Sequence, residues 1–262
     1  MKILIVGDIV GSPGRTALAR IVGQMRSAGE VDFVVANAEN AAGGRGITPA
    51  LAEDLFRAGA DVLTTGDHVW DQKELAKHID KEPRILRPAN YPPACPGKGS
   101  ITAETPAGRV TVIDLVGRVF MGPADCPFRT VDQILNAGGL GKIVIVDLHA
   151  EATSEKIAMG RYLDGRVSAV VGSHTHVQTS DETILPKGTA YITDLGMTGP
   201  KDSVLGRDVE SIIKKFITGM PTPFDVATKD VCLEGVLITV DDKTGKAAKI
   251  KRVREKIPDA SA

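Results

Sequence analysis

The chain has 262 residues, 42% of them apolar and 25% charged, which suits a soluble globular protein of one large domain or two small ones. Thirty-two basic residues against 33 acidic ones leave a formal net charge of −1, so no field exists that would favour nucleic acid or an anionic membrane as a general partner. The three cysteines, Cys95, Cys126 and Cys232, are odd in number and far apart, which excludes a disulfide framework or a thiolate metal site and fits a reducing cytoplasm.

The N-terminal run "KILIVGD" (2–8) is apolar on both alternating sets and reads as a strand covered on both faces. It is too short for a signal-peptide core, and no stretch approaches the roughly 18 apolar residues of a membrane helix. The expectation is a cytoplasmic protein without membrane contact. "GRTALARIVGQMRSA" (14–28) follows with apolar residues at helical spacing. "VDFVVANAE" (31–39) is a second buried strand, and "PALAEDLFRA" (49–58) a second helix, with Pro49 in its first turn and Thr48 as its cap. "ADVLTTGDH" (60–68) is the third strand. The stretch 70–79 predicts a helix, opened by Asp71 with Glu74 three residues later.

The middle of the chain changes character. Residues 87–99 form a Pro- and Gly-rich loop, and 99–117 predict two strands around a Pro-Ala-Gly turn. "GKIVIVDLHAE" (141–151) and "VSAVVGSHTH" (167–176) are two more buried strands. Residues 207–219 predict a helix within an otherwise irregular excursion over 200–230. Residues 234–255 predict a hairpin turning at "DDKTG", and the basic run 246–256 alternates like a charged edge strand. Hairpins added to a βαβ pattern give an α/β fold with mixed sheets, two of them face to face with helices outside, as one domain over 1–262.

The strands end in a telling way. The first delivers Asp8, the second Glu39 and Asn40, the third Asp67 and His68, the fourth His149, and the fifth His174 and His176. Ligands of open α/β sheets bind beyond the carboxyl ends of strands. Each residue alone has an ordinary structural reading: a turn or cap aspartate, a helix-capping histidine, a satisfied core histidine. Their convergence from five segments points to metal. Nitrogen and carboxylate donors suit Fe, Mn, Zn or Co, and six or more donors suit two ions sharing one carboxylate. "GDIVGSPGR" lacks the Lys-Ser/Thr of a phosphate-binding P-loop and reads as a turn. Arg45 in "GGRG" is a phosphate candidate on a loop that is flexible by default, and Cys126 reads as a small buried hydrophobe.

Five blocks in order, "GDIVG" (7–11), "NAENAAGG" (37–44), "TGDHVWD" (65–71), "DLHAE" (147–151) and "GSHTHVQT" (172–179), resemble the calcineurin-like metallophosphoesterases and within them the YmdB-like branch. The resemblance implies a four-layer αββα sandwich with two mixed β-sheets. It implies two divalent or trivalent metal ions, iron first, with manganese or zinc as alternatives. Asp8 and His176 would hold one ion, Asp67, His149 and His174 the other, and Glu39 would bridge them. Asn40 would contact the substrate phosphate and His68 would sit near the leaving group. The implied activity is hydrolysis of small phosphodiesters, cyclic nucleotides such as 2′,3′-cyclic AMP among them, by a metal-bridging hydroxide. A phosphomonoesterase or protein phosphatase with the same centre, or a nucleotide-sensing protein with little turnover, would share these blocks. The chain departs from the superfamily at Val10, where a histidine is usual, and at Asp67, where asparagine is usual. Glu151 is a candidate to orient a ligand imidazole. A homo-oligomer is compatible with the C-terminal hairpin.

Overall fold

Each of the first three buried runs ends a strand just before a site residue. In the computed structural model, which describes residues 1–258, they are β1 (Lys2–Val6), continued by the two-residue β2 (Asp8–Ile9), then β3 (Phe33–Asn37) and β4 (Val62–Thr64). The domain expected over 1–262 extends past these limits, and residues 259–262 lie outside the described ones. Between the strands run α1 (Gly11–Ser27) and α2 (Pro49–Arg57). The Thr48 hydroxyl accepts a hydrogen bond from the Leu51 N–H at 3.3 Å, capping α2. Helix α1 begins three residues before the predicted start: Gly11 adopts a φ of +59° and Pro13 falls in the first turn, where its missing N–H leaves no helical bond unmade.

The predicted helix over 70–79 shrinks to α3 (Lys73–Ala76) and a 3₁₀ turn at Ile79–Lys81. Asp71 does not cap it. Its carboxylate is drawn to His68 Nδ1 at 3.2 Å and Arg45 Nε at 3.5 Å instead. The rest of the chain gives β5 (Ser100–Thr105), β6 (Gly108–Val116), α4 (Pro127–Ala137), β7 (Ile143–His149), α5 (Thr153–Leu163) and β8 (Ala169–Ser173). Then follow β9 (Thr183–Ile184), β10 (Ala190–Ile192), β11 (Met197–Pro200), α6 (Val209–Thr218), β12 (Val231–Val240) and β13 (Ala247–Lys256).

These strands build two mixed sheets. One has seven strands in the order β2-β11-β12-β1-β3-β4, with β13 also paired to β12, and the other has six in the order β5-β6-β7-β8-β10-β9. The inner faces meet through Ile3, Ile5, Val35 and Val62 of the first sheet and Val112, Ile145, Val171 and Ile192 of the second. Leu18 and Leu55 of α1 and α2 cover the outer face of the first sheet, and Val131 and Met159 of α4 and α5 that of the second. Apolar runs buried on both faces therefore follow from the layering: each central strand lies between a sheet and a helix. The result is an αββα sandwich. No described helix is long and apolar enough to cross a membrane.

Helix α5 carries one buried charge across the layers. Lys156 Nζ lies 2.7 Å from Asp194 Oδ2, with both side chains at most 2% exposed. The same Oδ2 accepts from the N–H (3.1 Å) and hydroxyl (2.7 Å) of Thr175. Lys156→Met removes one partner of a desolvated pair. It is expected to lower unfolding free energy by about 3–5 kcal/mol, measured from urea midpoints; a loss under about 1 kcal/mol would mean that Asp194 is satisfied without the lysine.

Candidate metal centre

The site lies where the carboxyl ends of strands from both sheets converge. Asp8 stands on β2, Glu39 and Asn40 follow β3, and Asp67 and His68 follow β4. His149 ends β7, while His174 and His176 follow β8. The local chain is shaped for this. The Asn37 side-chain oxygen accepts the Glu39 N–H at 3.1 Å, turning the chain so that Glu39 leaves the sheet. Gly66 passes between two site side chains: a Cβ there would meet His149 Cδ2 at 2.3 Å and Glu39 Oε2 at 2.4 Å, so this position of "TGDH" excludes any side chain.

His174 and His176 both have positive φ, +100° and +63°, which non-glycine residues rarely adopt. The conformation is held from the Thr175 between them, clasped by Asp194, and from the His174 N–H, which donates to Asp8 Oδ2 at 3.2 Å. Left-handed histidines pinned in this way mark a loop whose geometry is imposed by its surroundings.

Glu39, Asp67, His149 and His174 offer ligand atoms that all lie within 4.8 Å of one another. His149 Nε2 is 2.9 Å from His174 Nδ1, 3.1 Å from Asp67 Oδ1 and 3.2 Å from Glu39 Oε1. Four donors facing one point cannot all be satisfied by a single ring proton. Such separations are those of ligands about 2.0–2.2 Å from one shared ion. Beside this quartet stand Asp8 and His176, with His176 Nε2 at 3.9 Å from Asp8 Oδ1 and 3.2 Å from Asn40 Oδ1. Asp8 Oδ1 is fully buried and accepts no hydrogen bond from the described residues. An orphaned buried carboxylate oxygen next to an imidazole nitrogen is a second place where a cation would settle. The residues present therefore fit metal ions.

The clustered charges act strongly on one another. Burial alone would push the His149 imidazolium down, but Glu39, Asp67 and Asp8 outweigh it and hold it well above the usual range. Burial would raise Glu39 and Asp67, yet His149 pulls both below the usual carboxylate range. Asp8 goes the other way, raised by its burial. Burial lowers His176 to about 4, which keeps its ring neutral as a ligand requires.

The ring orientations are fixed from behind. Ser173 Oγ donates to Asp147 Oδ1 at 2.8 Å and stands 3.1 Å from His149 Nδ1, so the Nδ1–H is the donor of that second bond. Thr64 Oγ1 holds the other Asp147 oxygen at 2.6 Å. Nε2 is thereby left to the cluster. Glu151 Oε2 stands 3.3 Å from His174 Nε2, so the imidazole that it orients is that of His174 and not that of its sequence neighbour. The Leu205 carbonyl accepts from His176 Nδ1 at 3.2 Å.

A cavity of about 470 Å³ opens over the cluster, lined by Glu39, Asn40, His68, His174 and His176 among others. Arg45 is on its rim and Val10 on its wall. Cys126 does not line it. That thiol is half-buried at the cap of α4, not a core side chain, because the cap position lies at the end of a surface helix. His68 stands outside the quartet; its N–H donates to Glu39 Oε2 at 3.3 Å and its Nδ1 faces Asp71. The sequence missed Ser173, Asp147 and Asp194. The apolar runs around Asp147 and Ser173 hid them, and nothing near Asp194 in sequence marks it.

Comparison with known proteins places these features in a family. The model of the family described as YmdB-like protein matches residues 4–253. A 2′,3′-cyclic-nucleotide 2′-phosphodiesterase of Bacillus subtilis is 49% identical over 254 residues, covering 97% of this chain and 96% of that one. A crystal structure of a hypothetical protein from Thermus thermophilus superposes with a TM-score of 0.93 at 41% identity, covering 98% of this chain and all (100%) of the other. The crystal structure of a novel phosphatase of Mycoplasma pneumoniae gives 0.92 at 34% identity, covering 99% and 95%.

Two measurements probe the supporting groups. Ser173→Ala should weaken metal binding by about 10–100-fold, read as metal retained after dialysis; unchanged retention would mean that the relay does not set the His149 ring. Asp114, in register with Asp147 on the neighbouring strand, is raised well above its ordinary value of 3.8 by burial and by that second carboxyl. The native state then binds more protons than the unfolded chain from about pH 4 up to the raised value, so stability falls as pH rises through that window. In chelator, Asp114→Asn is expected to flatten the fall in urea midpoint as pH rises above about 4; a parallel profile would assign the titration elsewhere.

Proposed function

This chain belongs to the YmdB-like family, and from that premise we propose that it is a metal-dependent phosphodiesterase that opens 2′,3′-cyclic nucleotides at the 2′ oxygen in the cytoplasm. The carrying observation is the quartet of Glu39, Asp67, His149 and His174 at the floor of a cavity large enough for a nucleotide. Glu39, Asp67, His149 and His174 would hold one ion. Asp8 and His176, with Glu39 shared between the two, would hold another; the nitrogen-and-oxygen donor set accepts iron, manganese or zinc, and iron is the ion that the family resemblance implies. Bound ions supply Lewis-acid charge, making water a nucleophile at neutral pH and offsetting charge on the phosphoryl oxygens.

The chain's own groups do the rest. Asn40 donates one amide hydrogen to the Gly44 carbonyl at 3.2 Å, which leaves its second for a phosphoryl oxygen. The Asp71 carboxylate, 3.2 Å from His68 Nδ1, orients the ring. His68 Nε2 then gives its proton to the departing ribose oxygen. The Gly11 N–H donates to the Asn40 carbonyl at 3.0 Å, which ties the phosphate-binding residue to the start of α1.

The test is turnover of 2′,3′-cyclic AMP by protein purified without chelator, alongside bis-p-nitrophenyl and p-nitrophenyl phosphate. Diesters should be cleaved in preference to the monoester, and chelator should abolish cleavage until Fe, Mn or Zn is restored. His68→Ala should keep its metal and lose about 10²–10⁴-fold in kcat. Loss of metal from that variant, or a preference for the monoester, would refute the assignment.

A further inference from the structure

The 200–230 excursion forms one side of the same cavity with a surface that phosphate chemistry does not need. Leu205, Ile212, Phe216 and Phe224 line it beside His174 and His176. Phe216 is 82% exposed and Phe224 45%. Leu205 is held at a φ of +52°, a costly conformation for a leucine, with its carbonyl bonded to His176 and its side chain half out of the protein at the cavity mouth. An apolar side chain strained into solvent next to a candidate metal ligand calls for an apolar occupant.

The wall is also fastened to the phosphate end. The Arg207 guanidinium donates to the carbonyls of Gly43 (3.1 Å), Gly44 (2.6 Å) and Phe224 (2.9 Å). Gly44 in turn accepts from Asn40. One half-buried cation thus sets the spacing between the aromatic wall and the residue that faces the phosphate. Lys215 Nζ stands 4.3 Å and the Arg207 guanidinium carbon 5.7 Å from the centre of the Phe224 ring, so that ring already carries cations and Phe216 is the freer platform.

A small diester bound at the cluster must send its substituents outward along this wall. Building on the phosphodiesterase reading above, we infer that Phe216 and Phe224, with Leu205, form a stacking subsite for the nucleobase of the cyclic nucleotide, and that Arg207 is a positioning residue for it. Every base has a π face, so the subsite accepts all four bases and rejects substrates that lack one. Both terminal nitrogens of Arg207 are bonded to backbone carbonyls, which makes it a support for the wall and not a reader of base edges.

The test compares kcat/KM for 2′,3′-cyclic AMP with that for glycerol 1,2-cyclic phosphate, which has a five-membered cyclic diester and no base. The wild type should prefer the nucleotide, and Phe216→Ala should reduce that ratio by about 10-fold, the scale of one stack. Phe216→Trp should restore it. Calorimetry with 3′-AMP, which needs no turnover, should show the same weakening in Phe216→Ala. An unchanged ratio in Phe216→Ala would overturn the subsite, as would equal losses on both diesters. Failure of the wild type to cleave either diester would refute the phosphodiesterase reading, and the 3′-AMP titrations would still decide the subsite.

Discussion

The constraint on which the site depends is a concentration of buried negative charge. Asp8, Glu39 and His149 are each at most 1% exposed, and the Asp67 carboxylate, 33% exposed, meets the His149 ring at 3.1 Å. Carboxylates at such depth are costly unless a cation neutralises them. The His149 ring lies against all three carboxylates, and they raise its basicity despite its own burial. A ring proton serves one acceptor at a time, while the quartet has three other atoms facing Nε2. The site is thus built around a charge that the polypeptide cannot fully supply.

This demand accounts for features some distance away. The Thr64–Asp147–Ser173 chain behind His149 uses three hydroxyl or carboxyl groups inside the sheets to fix one ring. The Lys156–Asp194 pair commits another buried charge to the loop that carries His174 and His176. Neither arrangement adds much to the apolar core. Each holds a ligand or a strained turn in place before any ion arrives, so that binding does not also have to order the loop.

Much of this was legible in the sequence, and the physical reason is strand geometry. Runs such as Ile143–His149, buried throughout, can lie only between two covered faces, and their polar ends can emerge only at the sheet edge. The two sheets and the convergence of donors follow from that. Helices α4 and α5 were not legible. In α5 the inward face carries Glu155, Lys156 and Gly160, with Gly160 against the Tyr191 ring, so its buried residues do not form an apolar stripe. Strands β10 and β11 are three and four residues long, too short for a period to show. The sequence pattern overstates the helix over 70–79 because Asp71 occupies a capping position while its carboxylate serves His68. Long-range pairs such as Asp147 with Ser173 leave no local trace at all.

The excursion at 200–230 is held in a different way from the floor of the cavity it lines. Its helix α6 buries little more than Ile212, and the segment is stitched to the rest by Arg207 and by the Leu205 carbonyl more than by sheet ladders or a shared core. Polar stitches fix position at a few points and leave the exposed side chains free to vary with little effect on packing. The metal-facing residues have no such freedom: Gly66 cannot gain an atom, and the His174–His176 turn is clasped by Asp8 and Asp194. A substitution in α6 would therefore alter the cavity wall while the residues of the metal-facing floor stay as they are. The wall and the floor are joined at the Arg207 guanidinium and the Leu205 carbonyl. A change in substrate preference that also altered the rate would have to pass through those two polar contacts.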